Sequence, residues 1–101
     1  MSKVAIIAKL VAQEGKRAEL AAGLQANLKI AEGEPGTEKY ILHEDAAAPD
    51  VLWFYEIYTD QDSLIAHGTG EEFKAVGRTL APLMAGRPEI TFLTPIGGKG
   101  L

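Results

Sequence analysis

The chain has 101 residues, 47% of them hydrophobic and 24% charged, with a formal net charge of −4 and no cysteine. A chain of this size holds one core, and its scattered basic residues lack the clustered positive surface that a phosphate backbone requires, which excludes nucleic acid as the main partner. Disulfides, thiolate metal sites and thiol nucleophiles are excluded too, and with no leader-like start and no apolar run near the ~20 residues of a membrane span, a soluble cytoplasmic protein is expected.

Lys3–Ala12 alternates Val4, Ile6, Ala8 and Leu10 against Ala5, Ile7, Lys9 and Val11, a strand that is largely apolar on both faces. After a turn at Glu14-Gly15, Lys16–Glu32 carries Leu20, Leu24 and Leu28 at four-residue spacing, flanked by Ala21 and Ala31. That is one helical stripe, alanine-rich enough to approach a sheet closely. Gly33-Glu34-Pro35-Gly36 stops the helix. Thr37–Asp45 alternates Tyr40, Leu42 and Glu44 against Lys39, Ile41 and His43, and its polar content predicts an edge strand with one wet face. A hairpin loop, Ala46–Asp50 with Pro49, follows.

Val51–Tyr58 is the most aromatic run of the chain, and its bulky, β-favouring residues predict a strand. Asp60 is placed to cap a short helix with its carboxylate, Gly68 to stop it, and His67 falls at its end. A wall of aromatics feeding a residue that exchanges protons near neutral pH reads as a pocket with one base. Glu71–Ala85 is a second long helix with Phe73, Val76, Leu80, Leu83 and Met84 on one stripe; Thr69 and Glu72 form a capping-box pattern before it, and Pro82 predicts a break near Ala81. Glu89–Ile96 is the last strand. Residues 1–96 read as a single domain and 97–101 as a flexible tail.

The order β-α-β-β-α-β, with a short extra helix, predicts an α+β ferredoxin-like fold: a four-stranded antiparallel sheet with helices on one face. An antiparallel sheet covered on one side should be polar on the other. Here the first and third strands are apolar on both, and leaving that surface wet is unfavourable by roughly 25 cal/mol per Å². A homodimer packed sheet to sheet is therefore expected.

Tyr55-Glu56-x-Tyr58-x-Asp60, then His67 seven residues after Asp60 and Phe73 six residues beyond, carry a family likeness, together with Pro35-Gly36, Tyr40 and Pro49. Over nearly its whole length the chain resembles the antibiotic biosynthesis monooxygenase superfamily of dimeric α+β barrels. The resemblance implies cofactor-independent oxygenation of a quinol or phenolic polyketide-like aromatic by dioxygen, without flavin or metal, in a homodimer. Two departures bear on the branch. Glu72 stands where many relatives have a second histidine. The haem-degrading branch uses a first-strand asparagine and a helical tryptophan, and the matching positions here are Ala8 and His67, so haem degradation is not expected.

The candidate site is then His67 as acid–base group, with Tyr40, Trp53, Tyr55, Tyr58 and Phe73 as candidate substrate walls. Alternation keeps Trp53 and Tyr58 on opposite faces of their strand, so at most half of the set lines one cavity. Glu56, a carboxylate in an apolar strand, needs a partner: it is either a braced structural group, for instance at the dimer interface, or a proton acceptor whose pKa burial has raised. His43 reads as a surface residue, and two histidines on separate elements make no metal site. The competing reading is a non-catalytic dimer that binds a small ligand or serves a stress response.

Overall fold

The computed structural model describes residues 2–101. Its elements are β1 (Val4–Val11), α1 (Arg17–Glu32), β2 (Thr37–Glu44), β3 (Val51–Tyr58), α2 (Gln61–Thr69), α3 (Glu71–Leu80), a 3₁₀ turn (Ala81–Leu83) and β4 (Glu89–Leu93). The strands form one four-stranded antiparallel sheet in the order β2-β3-β1-β4. β1 and β2 thus flank β3 as in a split βαβ unit, which is the ferredoxin-like arrangement expected from the element order. β2 is an edge strand, as its polar content predicted.

Register decides what each face carries. Ala8 pairs with Phe54 and Leu10 with Leu52, while Tyr40 pairs with Glu56 across the other ladder. Side chains of paired residues share a face, so Ile6, Ala8, Leu10, Leu52, Phe54, Glu56, Tyr58, Tyr40 and Leu42 all point toward the helices. There they meet Leu20 and Leu24 of α1 in the core. The opposite face carries Ile7, Ile41, Tyr55 and Leu93, all with more than a third of their surface exposed.

Helix α1 buries Leu20, Leu24, Asn27 and Ala31. Leu28, expected on the central stripe, is only partly buried at its flank, because 3.6 residues per turn carries a four-four spacing off the face. α1 also lies close to α3: a side chain at Gly23 would collide with Leu80.

Three local expectations are corrected. Gly68 does not end α2, which continues to Thr69; Gly70, extended at φ −63° and ψ 135°, both ends α2 and starts α3. Thr69 does not cap α3, since its hydroxyl donates to the Ile65 carbonyl at 2.8 Å and is spent within its own helix. The last strand ends at Leu93 rather than Ile96. Asp60 does cap α2, accepting from the Ser63 amide at 2.8 Å, and α3 gives way to a 3₁₀ turn at Ala81, one residue before Pro82. That turn is pinned to the end of β1: Gln13 N–H donates to the Leu83 carbonyl and Ala85 N–H to the Val11 carbonyl, each at 2.8 Å.

Candidate active site

α3 buries no residue fully. Its apolar stripe, Phe73 and Leu80 included, stands off the sheet and roofs a cavity of about 530 Å³. Small residues help to leave this space: Ala8 on β1, Gly77 on α3 and Ala81 at the start of the 3₁₀ turn all line it. A side chain added at Gly77 would meet nothing within 4 Å. At one end stand Asn27, Tyr40, Phe54, Glu56 and Phe73; at the other, exposed end are Gly86, Arg87, Pro88 and Ile90.

Glu56 supplies the carboxylate of this cavity. It is 7% exposed, and the Tyr58 hydroxyl donates to its Oε1 at 2.6 Å. Burial pushes the Glu56 carboxyl above the ordinary carboxylate range, opposed by the Tyr58 hydrogen bond and by the charge of His67. The same desolvation, together with the carboxylate it serves, holds the Tyr58 phenol in its neutral, donating form. Tyr40 is raised in the same way, by burial first and by Glu56 second, while the Asn27 amide beside it pulls the other way.

His67 sits behind this wall. Its ring is 4% exposed and lies 4.5 Å from the Phe73 ring, 4.9 Å from Tyr40 and 5.4 Å from Tyr58, measured between centroids. Nδ1–H donates to Glu34 Oε1 at 2.7 Å, and Thr37 Oγ donates to the same oxygen at 2.9 Å. His67 does not line the large cavity. It lines a smaller cleft on the far side of Phe73 and Tyr40, together with Glu34, Gly36, Asp60 and Ser63.

The expected site therefore divides. Tyr40, Glu56, Tyr58, His67 and Phe73 come together. Trp53 and Tyr55 do not: the pleat puts them on the opposite sheet face from Phe54 and Glu56. Trp53 donates to Asp45 Oδ2 at 2.8 Å, and the Ala48 amide, followed by this Trp53 bond and the Ala47 amide, holds the Asp45 carboxyl down to about 2. Glu56 is braced by Tyr58 on the helix side, not by a lysine, an arginine or backbone amides, and not on the outer face. His43 is exposed, as expected. Among the described residues no three His, Cys, Asp or Glu side chains converge as metal ligands would.

Two polar cavity residues, Asn27 and Arg87, are not among the site residues expected from the sequence, where Arg87 reads as solvated or paired with acidic neighbours. Asn27 follows Leu24 by three, in step with Leu20 and Ala31 on the core face; a polar residue at such a position is itself a signal. Arg87, in a Gly-Arg-Pro turn, carries no pattern that would mark it.

The family model for antibiotic biosynthesis monooxygenases matches residues 3–79, from β1 through all but the last residue of α3. The chain belongs to this family. A candidate antibiotic biosynthesis monooxygenase from Caulobacter crescentus CB15 is 32% identical, with 95% of this chain and 92% of that one covered and a TM-score of 0.88. A second candidate member from Chloroflexus aurantiacus J-10-fl is 28% identical over 98% of both chains, with a TM-score of 0.83. A Nitrosomonas europaea protein of unknown function is 26% identical over 98% of this chain and 94% of its own, with a TM-score of 0.85. No curated protein matches the chain. No helix among the described residues of this monooxygenase-family chain is long and apolar enough to cross a membrane.

Proposed function

We propose that the protein is a cofactor-independent monooxygenase that oxidises a small electron-rich aromatic, a quinol or phenolic polyketide-like compound, with dioxygen. The observation that carries this reading is a buried carboxylate with a raised pKa facing a cavity that is lined mainly by apolar side chains. Family membership supports the reaction class.

The flat substrate lies against Phe54, Phe73 and Tyr40. Glu56 removes a proton from its hydroxyl, and the apolar walls keep the resulting anion out of water, where it gives electrons to dioxygen. With a hydroquinone, one oxygen atom enters the ring and the other leaves as water, all four electrons coming from the substrate. His67 acts from behind the wall. Held by Glu34, it stabilises the Glu56 carboxylate electrostatically, and the proton taken up by Glu56 goes to the oxygen atom that leaves as water. Tyr58 fixes the direction in which the carboxylate points.

The working unit is a homodimer joined through the outer sheet faces. Ile7, Ile41, Tyr55 and Leu93 are each at least 36% exposed there, and pairing two such faces removes aromatic and aliphatic surface from water on both copies. The alternative, a dimer that binds an aromatic ligand without turning it over, uses the same cavity.

Oxygen uptake separates the two. Metal-stripped protein is incubated with a panel of hydroquinones and the rate compared with the uncatalysed blank. Turnover is expected to fall about 10²–10⁴-fold in Glu56→Gln, the range of a lost general base, and by less in His67→Gln. Rates equal to the blank across the panel overturn the oxygenase reading, and saturable binding without turnover establishes the alternative.

A further inference from the structure

Asn27 is the one polar residue on the buried face of α1, and it is 5% exposed. Its Oδ1 atom is buried without a hydrogen-bond partner, the only such side-chain atom among the described residues. An unmet buried acceptor destabilises a fold, and native proteins seldom leave one without a purpose. Leucine would fit the pattern set by Leu20 and Leu24 on the same face, and the contact of the amide with Tyr40 still leaves Oδ1 unmet. Like Leu20 and Leu24 it lines the large cavity, and it is the one residue of this face that brings a polar group there, beside Tyr40 and Glu56.

We infer that Asn27 is a recognition residue whose Oδ1 accepts a hydrogen bond from a hydroxyl of the bound ligand. This rests on the reading of the cavity as an aromatic-binding site, and it adds a selection rule that the apolar walls cannot supply. Flat rings of similar size all fill an apolar slot about equally well. Only a ring that presents a donor at its buried end satisfies Asn27, and a ring without one leaves the amide oxygen dry and unpaired. A site built on a waiting polar group rejects an isostere that lacks the matching group far more strongly than an apolar pocket rejects an added one. The rule also bears on turnover. Oxidation converts a donor hydroxyl into an acceptor carbonyl, which would face the Asn27 oxygen lone pair to lone pair, so the same atom that selects the reduced ligand disfavours the oxidised one.

The test uses a shape-matched pair of probes, 1-naphthol and 1-methylnaphthalene, titrated calorimetrically under anaerobic conditions into the full chain and into Asn27→Leu. The wild-type protein should prefer the naphthol, and the ratio of the two affinities should exceed the ratio in Asn27→Leu by roughly 10–100-fold. A second readout does not depend on ligand. With its unmet acceptor gone, ligand-free Asn27→Leu should melt at a higher temperature than wild type. An unchanged affinity ratio in the variant, with both probes bound, overturns the role of Asn27 and leaves the cavity reading standing. Failure of the wild-type protein to bind either probe overturns the cavity reading and this inference with it. A lower melting temperature for Asn27→Leu would assign the amide to the fold, through its neighbour Tyr40, and also overturn the inference.

Discussion

Tyr58→Phe removes one oxygen atom from the centre of the molecule and leaves the ring in place. Tyr58 is fully buried, and its hydroxyl donates at 2.6 Å to a carboxylate that is itself 7% exposed. A hydrogen bond to a charged acceptor contributes about 1.5–3 kcal/mol, against about 0.5–1.5 for a neutral pair. The deficit should therefore depend on whether Glu56 is ionised. In the unfolded chain Glu56 titrates near 4.5, and burial raises that value in the fold. Below the unfolded value the group is neutral in both states and its ionisation does not bear on stability. As pH rises through the higher folded value, the unfolded chain is already ionised and the fold loses stability. Removing the Tyr58 donor raises the folded value further, so the variant must lose more than wild type over the same climb. Thermal unfolding at pH 4.5 and pH 8.5 measures this, with about 4–8 °C in Tm for each kcal/mol in a domain of this size. The Tm difference between Tyr58→Phe and wild type should be clearly larger at pH 8.5. An equal or smaller difference there would mean that ionised Glu56 does not lean on Tyr58.

Other perturbations test other parts of the structure. Gly77→Leu places a side chain in the open cavity while replacing a mid-helix glycine, so it should gain about 0.5–1 kcal/mol of stability and abolish binding of the naphthol probe. Gly36→Ala drives a methyl group into Ser63, which should cost about 1–3 kcal/mol and loosen the clasp between the α1–β2 loop and α2, measurable as faster hydrogen exchange in 60–69. Tyr55→Asp should disperse or unfold the proposed dimer at micromolar concentration, as read by sedimentation, whereas Lys74→Glu, exposed on α3 on the other side of the sheet, should leave it unchanged.

How far the sequence discloses such a molecule depends on the range of the interaction. Strand faces follow from alternation alone, which is why Tyr55 and Tyr58 are separable before any coordinates. The brace on Glu56 was within reach by the same rule, because Tyr58 is two residues on and shares its face. Asn27 was visible as a polar interruption of an apolar stripe. The partner of His67 was not: Glu34 lies 33 residues away in a loop between elements, and no periodicity relates the two. Nor does any pattern state how far α3 stands from the sheet, which separates a tight core from a cavity. The Thr69–Glu72 pattern failed for a local reason, since the threonine hydroxyl had a nearer carbonyl in its own helix.

The break at Pro82 has a consequence for how the protein could change over time. By ending α3 and tying Leu83 and Ala85 to the end of β1, it hands the open end of the cavity to Gly86, Arg87 and Pro88, an exposed stretch outside any helix or strand. The carboxylate end is built from strands and helices that share the core, so an alteration there disturbs the whole. The entrance stretch bears none of that load. A lineage could lengthen, shorten or recharge the doorway and so exchange one guest for another, while the room behind it kept its dimensions and its chemistry.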